Sequence, residues 1–402
     1  MKSKVIFAVI CFLLSAFCLF ADNEEEPFRI KDRTLEIGFL HTGIWFSNDF
    51  FAISEIFQEK IVFDTGKFTS AFRVNFDLDA APLYFSYNRN NLWGFGLSLS
   101  VSAAGIFNLS ENTLALHDAV NDKSFVSGAV FAEAKFSGFF TWRGIKIKIN
   151  PSLYYPVVYI SDSEVLYSVN TSDAAIIDIS YKFKLYTAFP LGDESFRLTS
   201  APGADIHLGV EYPLAMKLGL TEKYGFLDFS VALDFIGIPL VPSQMKDYME
   251  LTGRIGGGMQ LTSDNFDDDD FLDKFFDVND PVYGKDRKFI LRPFKMLASA
   301  DWKPFKKVPV SFIPVLGFAI NPFYNKPVSM EGGIKACYNH ANLFLAAFGM
   351  GYYNHSWRNS LDLALNFRYF EISVKLALSS QDFLKSWQGN GFGLSFGLKF
   401  GY

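Results

Sequence analysis

Charged side chains recur at alternate positions of several apolar stretches, and these are the residues best placed to act on a passing solute. Glu133, Lys135, Lys146, Lys148, Lys182 and Lys184 fall on three consecutive stretches and would form a mainly basic wall. Asp205, Glu211, Asp228, Asp234, Glu250 and Arg254 fall on the next few and would form a mainly acidic one. Opposed walls of this kind set a transverse field across a pore and orient dipolar solutes. Paired with one another, the same residues would instead plug a narrow bore. Asp264, Asp267, Asp268, Asp269, Asp270, Asp273, Asp277 and Asp280 crowd one polar stretch. Carboxylates attract Ca²⁺, but the Gly and closing Glu of a calcium loop are missing at the required spacing, so a solvated loop folded onto the rim by Phe266, Phe271, Phe275 and Phe276 is the simpler expectation. Asn354, His355 and Ser356, with Asn359 and Ser360, are the best candidates for a serine hydroxyl activated by histidine. His41, His117, His207 and His340 have no ligand spacing, and no metal or cofactor is expected. Cys337, beside Lys335 on the same face, reads as an inert thiol.

The elements that carry these residues have period two. In 93–103, Trp93, Phe95, Leu97, Leu99, Val101 and Ala103 fall on one face, opposite Gly94, Gly96, Ser98, Ser100 and Ser102. The same alternation runs through 145–159, 177–189, 227–235 and 391–402. About sixteen such segments follow one another: near 33–47, 68–87, 92–104, 124–142, 144–160, 175–189, 203–214, 225–237, 247–261, 288–302, 308–321, 327–339, 342–353, 360–369, 370–379 and 389–402. Counted back from the C-terminus, the gaps sort by parity. One class is short: Tyr369/Phe370, Ala341, Pro304–Lys307, Arg143 and Asn88–Asn91, with 190–202 and 238–246 as the exceptions. The other class is long and polar: 380–388, 354–359, 262–287, 161–174, 105–123 and 48–67. Short turns at one end and long loops at the other predict a transmembrane β-barrel rather than a sandwich. The periodicity of 49–62 is helical and suits either a constriction in the bore or a rim helix.

The 402 residues are 50% hydrophobic and 17% aromatic, with 46 Phe, and carry a net charge of −6. Such a chain is not disordered. It has no apolar run long enough for a membrane helix after residue 21, and no basic tract for nucleic acid. Residues 1–21 read as a signal peptide: Lys2 and Lys4, then an apolar Val5–Leu14, then a cleavage zone ending at Ala21. The rival reading is a lipoprotein signal with Cys18 as the acylated residue. Cleavage after Ala21 leaves Cys337 as the one cysteine, so no internal disulfide forms.

The final segment resembles the C-terminal assembly signal of Gram-negative and spirochaete outer-membrane β-barrels, with Gly397, Leu398, Phe400 and a terminal aromatic, Tyr402, at the matching places. Phe396 stands where that pattern prefers a polar residue. The Phe-rich, Trp-poor composition looks like treponemal outer-membrane proteins. This resemblance implies the cell outer membrane as the address, with outer-membrane lipid and the barrel assembly machinery as partners. The Asn-Pro-Ala motif of long-chain fatty-acid channels is absent near the mature N-terminus, and the His-x-Ser-Asn spacing of outer-membrane lipid hydrolases is broken by Trp357 and Arg358. The expectation is therefore an all-β, antiparallel transmembrane β-barrel of about sixteen strands (range 14–16), with 22–32 as a short periplasmic segment and 33–402 as the barrel. Its function would be porin-like passage of small hydrophilic solutes, without catalysis. The alternatives are a plugged barrel that binds an extracellular ligand at loop 262–287, and a lipid hydrolase.

Overall fold

A computed structural model describes residues 34–48, 72–89, 93–109, 119–170, 176–189, 200–214, 228–260, 276–304, 308–324, 326–367 and 369–401. The signal segment 1–21, the segment 22–32, the helical stretch 49–62, Tyr402 and the acidic residues from Asp264 to Asp273 lie outside them.

The first strands are β1 (Leu35–Asn48), β2 (Phe72–Arg89), β3 (Trp93–Leu109), β4 (Ala119–Ser124), β5 (Val126–Trp142), β6 (Ile145–Asn170) and β7 (Ile176–Thr187). Next come β8 (Gly203–Tyr212), β9 (Asp228–Val241), β10 (Ser243–Gln260), β11 (Phe276–Val278), β12 (Val282–Ile290) and β13 (Phe294–Lys303). The chain ends with β14 (Val310–Ile320), β15 (Val328–His340), β16 (Phe344–Tyr353), β17 (Ser356–Asn366), β18 (Phe370–Ser380) and β19 (Gly391–Gly401).

Fourteen of these strands close an antiparallel ring in the order β1, β2, β3, β5, β6, β8, β9, β13, β14, β15, β16, β17, β18, β19. The seam is β1 against β19, where Gly397 pairs with His41, Leu398 with Leu40 and Phe400 with Ile37. The terminal segment thus supplies the closing strand, and both ends of the ring chain sit at the rim of the short turns. Arg143–Gly144 and Asn354–His355, at opposite rims, are two-residue hairpin turns with both φ angles positive, the geometry whose twist matches the strands it joins.

The expected count of about sixteen becomes fourteen, the lower end of the expected range. Segments 175–189 and 247–261 form β7 and β10, which pair with each other rather than taking places in the ring. β6 explains how. It is 26 residues long, whereas crossing hydrocarbon takes about 9–11. Its first part, Lys146–Tyr154, pairs with ring strand β8, and its far part, Val158–Asn170, pairs with β7. β10 continues the line of β9 after Pro242 and carries β12 and β11 on its other edge, while β4 lies along the end of β6. Alternation marks any strand with one covered face and is silent on its neighbour. The two gaps that broke the loop parity, 190–202 and 238–246, border these two strands.

Exposure confirms which face points out. Along β3, Trp93, Phe95, Leu97, Leu99 and Val101 are exposed while Ser100 and Ser102 are buried. Exposed Leu, Phe, Val and Trp continue around the ring, including Ile147, Ile149 and Leu153 of β6, Leu361, Leu363 and Leu365 of β17, and Leu394 and Phe400 of β19. A soluble surface does not carry an apolar band of this extent. It is the outer face of a barrel built for lipid, with Trp93, Trp142 and Trp302 at the rim of the short turns.

Inward glycines make room for aromatic neighbours. A Cβ on Gly96 would stand 2.0 Å from the ring of Phe139, its cross-strand partner, and that ring in turn lies under Lys146 Nζ at 4.5 Å. Gly96→Val should therefore displace Phe139 and cost about 1–3 kcal/mol, the usual penalty of overpacking. Urea unfolding in lipid vesicles reads this as a lower midpoint.

Candidate functional site

The inward faces of β5, β6, β8 and β9 carry the charges singled out above. The basic and acidic groups do not face each other across the bore. They adjoin along the β6–β8–β9 seam, where Lys146 is the register partner of Glu211 and Lys148 of Gly209. Lys148 Nζ lies 3.9 Å from Asp234, and His207 joins that group, with Nε2 3.3 Å from Asp234 and Nδ1 3.0 Å from Asn150 Nδ2. Lys135 is in electrostatic reach of Glu133 and Asp79. Asp228 opens β9 opposite Lys303. Lys182, Lys184 and Glu250 lie off the ring on β7 and β10, where Lys182 pairs with Glu250 at 3.0 Å and Lys184 caps the Tyr248 ring at 4.8 Å. Arg254 of β10 holds Asp178 of β7 through both carboxylate oxygens, and this hydrogen-bonded contact lowers the Asp178 pKa. Farther round the ring stand more inward ions, of which the sequence reading named only Lys335: Lys335–Asp362 at 3.0 Å, Lys295–Glu331 at 3.7 Å and Lys399–Glu371 at 3.9 Å. Charges on this inner face are largely matched in pairs.

Arg292 is the centre of the tightest group. It stands between Leu291 and Pro293 in the link from β12 to β13 and points into the bore. Its Nη2 donates to Glu133 Oε2 at 2.8 Å, its Nη1 lies 3.3 Å from Asp205 Oδ2, and its guanidinium covers the Tyr154 ring at 5.2 Å. Ser102 donates to Glu133 and Ser152 to Asp205. The Tyr154 hydroxyl donates to the Ile290 carbonyl at 3.2 Å, as does Ser243 at 3.0 Å. One guanidinium thus bridges two carboxylates from different strands, which a planar fork of donors does well, and pins the link to the inner wall.

Above this group lies an apolar plug made of three parts of the chain. Phe131 and Tyr154 come from the ring. Tyr186, Met245 and Ile290 come from β7, β10 and β12, and Phe323 comes from the link between β14 and β15. Ring centroids of Phe131 and Phe323 are 5.8 Å apart, and those of Tyr159 and Phe323 6.1 Å.

The β14–β15 link runs Asn321-Pro322-Phe323-Tyr324-Asn325-Lys326-Pro327. Asn321 shapes it: its side chain accepts from Phe323 N at 3.1 Å, its carbonyl accepts from Tyr324 N at 3.2 Å, and its N–H donates to the Pro327 carbonyl at 2.7 Å. The link then reaches strands far around the ring. Ser127 of β5 donates to the Phe323 carbonyl at 2.5 Å, and the Tyr324 hydroxyl donates to Asn75 of β2 at 2.8 Å. In the ring order β2 stands halfway round from β14, so the link crosses the bore. Arg73 lies over the Tyr324 ring at 5.3 Å, and His355 meets its edge at 5.4 Å. Burial first, then the charge of Arg73, lowers the His355 pKa. The sequence candidate for a catalytic histidine therefore holds the crossing link, while Ser356 opens β17 as the register partner of Tyr353. Cys337 points inward and is packed among Leu345, Ala347 and Ala364.

A closed antiparallel ring with a lipid-type outer band defines the class: a transmembrane-type β-barrel, here with its bore crossed by links of its own chain. Among solved structures, the Pseudomonas putida toluene transporter TodX is similar over 95% of this chain and 94% of its own, at 10% identity and a TM-score of 0.48. A TodX monoaromatic hydrocarbon channel mutant (deltaS2S3) is similar over 95% of both chains at the same identity and TM-score. The translocator domain of the Neisseria meningitidis autotransporter NalP is similar over 92% of this chain and 90% of its own, at 7% identity and a TM-score of 0.31. No family model and no curated protein matches the sequence. The strand count and ring rest on this chain's own pairings.

Proposed function

We propose that the protein is a gated outer-membrane channel for small hydrophilic solutes, with the β14–β15 link as its gate and without a catalytic step. The observation that supports this reading most is the Tyr324–Asn75 and Ser127–Phe323 crossing of a bore whose inner face carries ion pairs. A gate must be held by few contacts that can be released. This one rests on two hydrogen bonds and the buried rings of Phe323 and Tyr324, whereas the wall rests on ladders along every strand. The outer apolar band and the closing strand with Gly397, Leu398 and Phe400 support the outer membrane as the address. The use of His355 against Tyr324 supports the absence of hydrolase chemistry.

Tyr324→Phe keeps the ring and removes the hydroxyl that reaches Asn75. Losing one such bond, worth about 1 kcal/mol, should raise the open fraction about fivefold. Proteoliposomes challenged with small sugars should then swell up to about fivefold faster than with the unmodified protein. Equal swelling rates from equal amounts of folded protein would remove the gate from the proposal.

A second reading has its own observation. The sheet built on the far part of β6 by β7, β10 and β12 extends beyond the ring at the end opposite the termini; the expected loop 262–287 is shortened by β11 and the start of β12, and segment 261–275 joins β10 to β11. A binding surface there is compatible with a channel below it. Deleting 263–275 should abolish ligand capture while leaving conductance unchanged if the two functions are separate.

A further inference from the structure

The link between β18 and β19 folds back down the outside of the barrel. On β17 the outward positions Leu365, Leu363 and Leu361 are exposed, but the next one, Asn359, is only 4% exposed. Its Nδ2 donates to Ser386 Oγ at 2.7 Å, and Ser386 is fully buried. Ser386 belongs to a 3-10 turn, Leu384–Trp387. Trp387 lies flat on Phe348, with centroids 5.7 Å apart and planes 6° from parallel. Phe348 is an outward residue of β16, opposite Leu361 and well inside the apolar band. Phe383 meets Trp357 edge-on at 4.9 Å, and Trp357 meets Tyr352 at 5.4 Å.

This turn covers the one amide on that outward row and then presents apolar groups of its own. Leu384 is 77% exposed and Trp387 52%. Part of its backbone is met internally: Asp382 Oδ1 accepts from Leu384 N at 2.9 Å, the Phe383 carbonyl accepts from Ser386 Oγ at 2.6 Å, and the Lys385 carbonyl accepts from Gln388 N at 2.9 Å, while the exposed Lys385 ammonium can snorkel to the headgroups. Irregular backbone survives at membrane depth only when its N–H and C=O groups are met in this way.

We propose that Leu384–Trp387 is a bilayer anchor, inserted among lipid acyl chains of the leaflet at the end opposite the termini, with Leu384 and Trp387 as the inserted side chains. The proposal rests on the membrane reading above. Lipid is the occupant because the patch is continuous with the apolar band and because Trp387 continues the flat surface begun by Phe348. Trp at this level gains from an apolar body with one hydrogen-bonding edge.

The full chain, reconstituted in phosphatidylcholine vesicles brominated high on the acyl chains, tests it by tryptophan fluorescence. Lipid bromine should quench part of the emission, and Trp387→Phe should remove a share of that quenching. An unchanged quenched fraction in Trp387→Phe would overturn the anchor. Should that variant fold poorly, Leu384→Cys labelled with a bimane probe gives the same answer: lipid bromine should quench it and aqueous iodide should not, and the opposite pattern overturns the proposal. A stable oligomer that dissociates on Leu384→Cys, with its probe shielded from lipid, would also overturn it by placing a second copy on the patch. Failure of the membrane reading looks different: no lipid quenching of any tryptophan, although Trp93, Trp142 and Trp302 also face outward.

Discussion

Arg292→Met should destabilise the folded barrel by about 3–5 kcal/mol, the cost of stripping the partner from buried charge. The side chain is similar in length, so the loss is electrostatic rather than steric. Glu133 and Asp205 would be left on the same stretch of inner wall, and the link that carries Ile290 into the apolar plug would lose its anchor. The account is specific about rescue. Glu133→Gln with Asp205→Asn in the Arg292→Met background should restore most of the lost stability, because neutral groups need no counter-charge. Urea midpoints of vesicle-embedded protein measure all of these variants. A loss that persists in the triple variant would assign Arg292 a packing role instead.

The parts of the fold legible in the sequence are those set by local burial. β3 and the terminal strand β19 read directly because each has one apolar and one small or polar face, and Leu394 and Phe400 face outward as that pattern requires. The ring size was not local. β7 alternates as cleanly as a ring strand because Ile179, Tyr181, Phe183 and Leu185 pack against Val126, Ile160 and Val165 while Lys182 stays exposed on the other face. The pairing of the charges was not legible, since Lys148 and Asp234 are neighbours only after β6, β8 and β9 are in register, and Lys182, Lys184 and Glu250 leave the ring altogether. Arg292 gave no signal at all. It reads as one more residue of a strand near 288–302, and its partners come from β5 and β8. The crossing link left a faint one: two aromatic residues inside a short Asn- and Pro-rich turn, where exposure of both rings would be wasteful.

Replacing residues 322–326 with Gly-Ser-Gly should open the bore more than any single substitution. Two hydrogen bonds at about 1 kcal/mol each and the burial of Phe323 at about 2 kcal/mol set a lower bound on what holds the link, before the buried Tyr324 ring under Arg73 is counted. Together these amount to about 4 kcal/mol, or roughly a thousandfold in the ratio of closed to open states. The ring itself should persist, because β14 and β15 pair along their whole length from Val310–Tyr338 to Ile320–Val328 without help from the link.

Single-channel recording in planar bilayers tests this gate most directly. The unmodified protein should stay mostly closed with brief openings, and the chain with 322–326 replaced should show long-lived conductance steps. Indistinguishable traces from the two, with both proteins folded and inserted, would contradict the account of a channel closed by its own β14–β15 link.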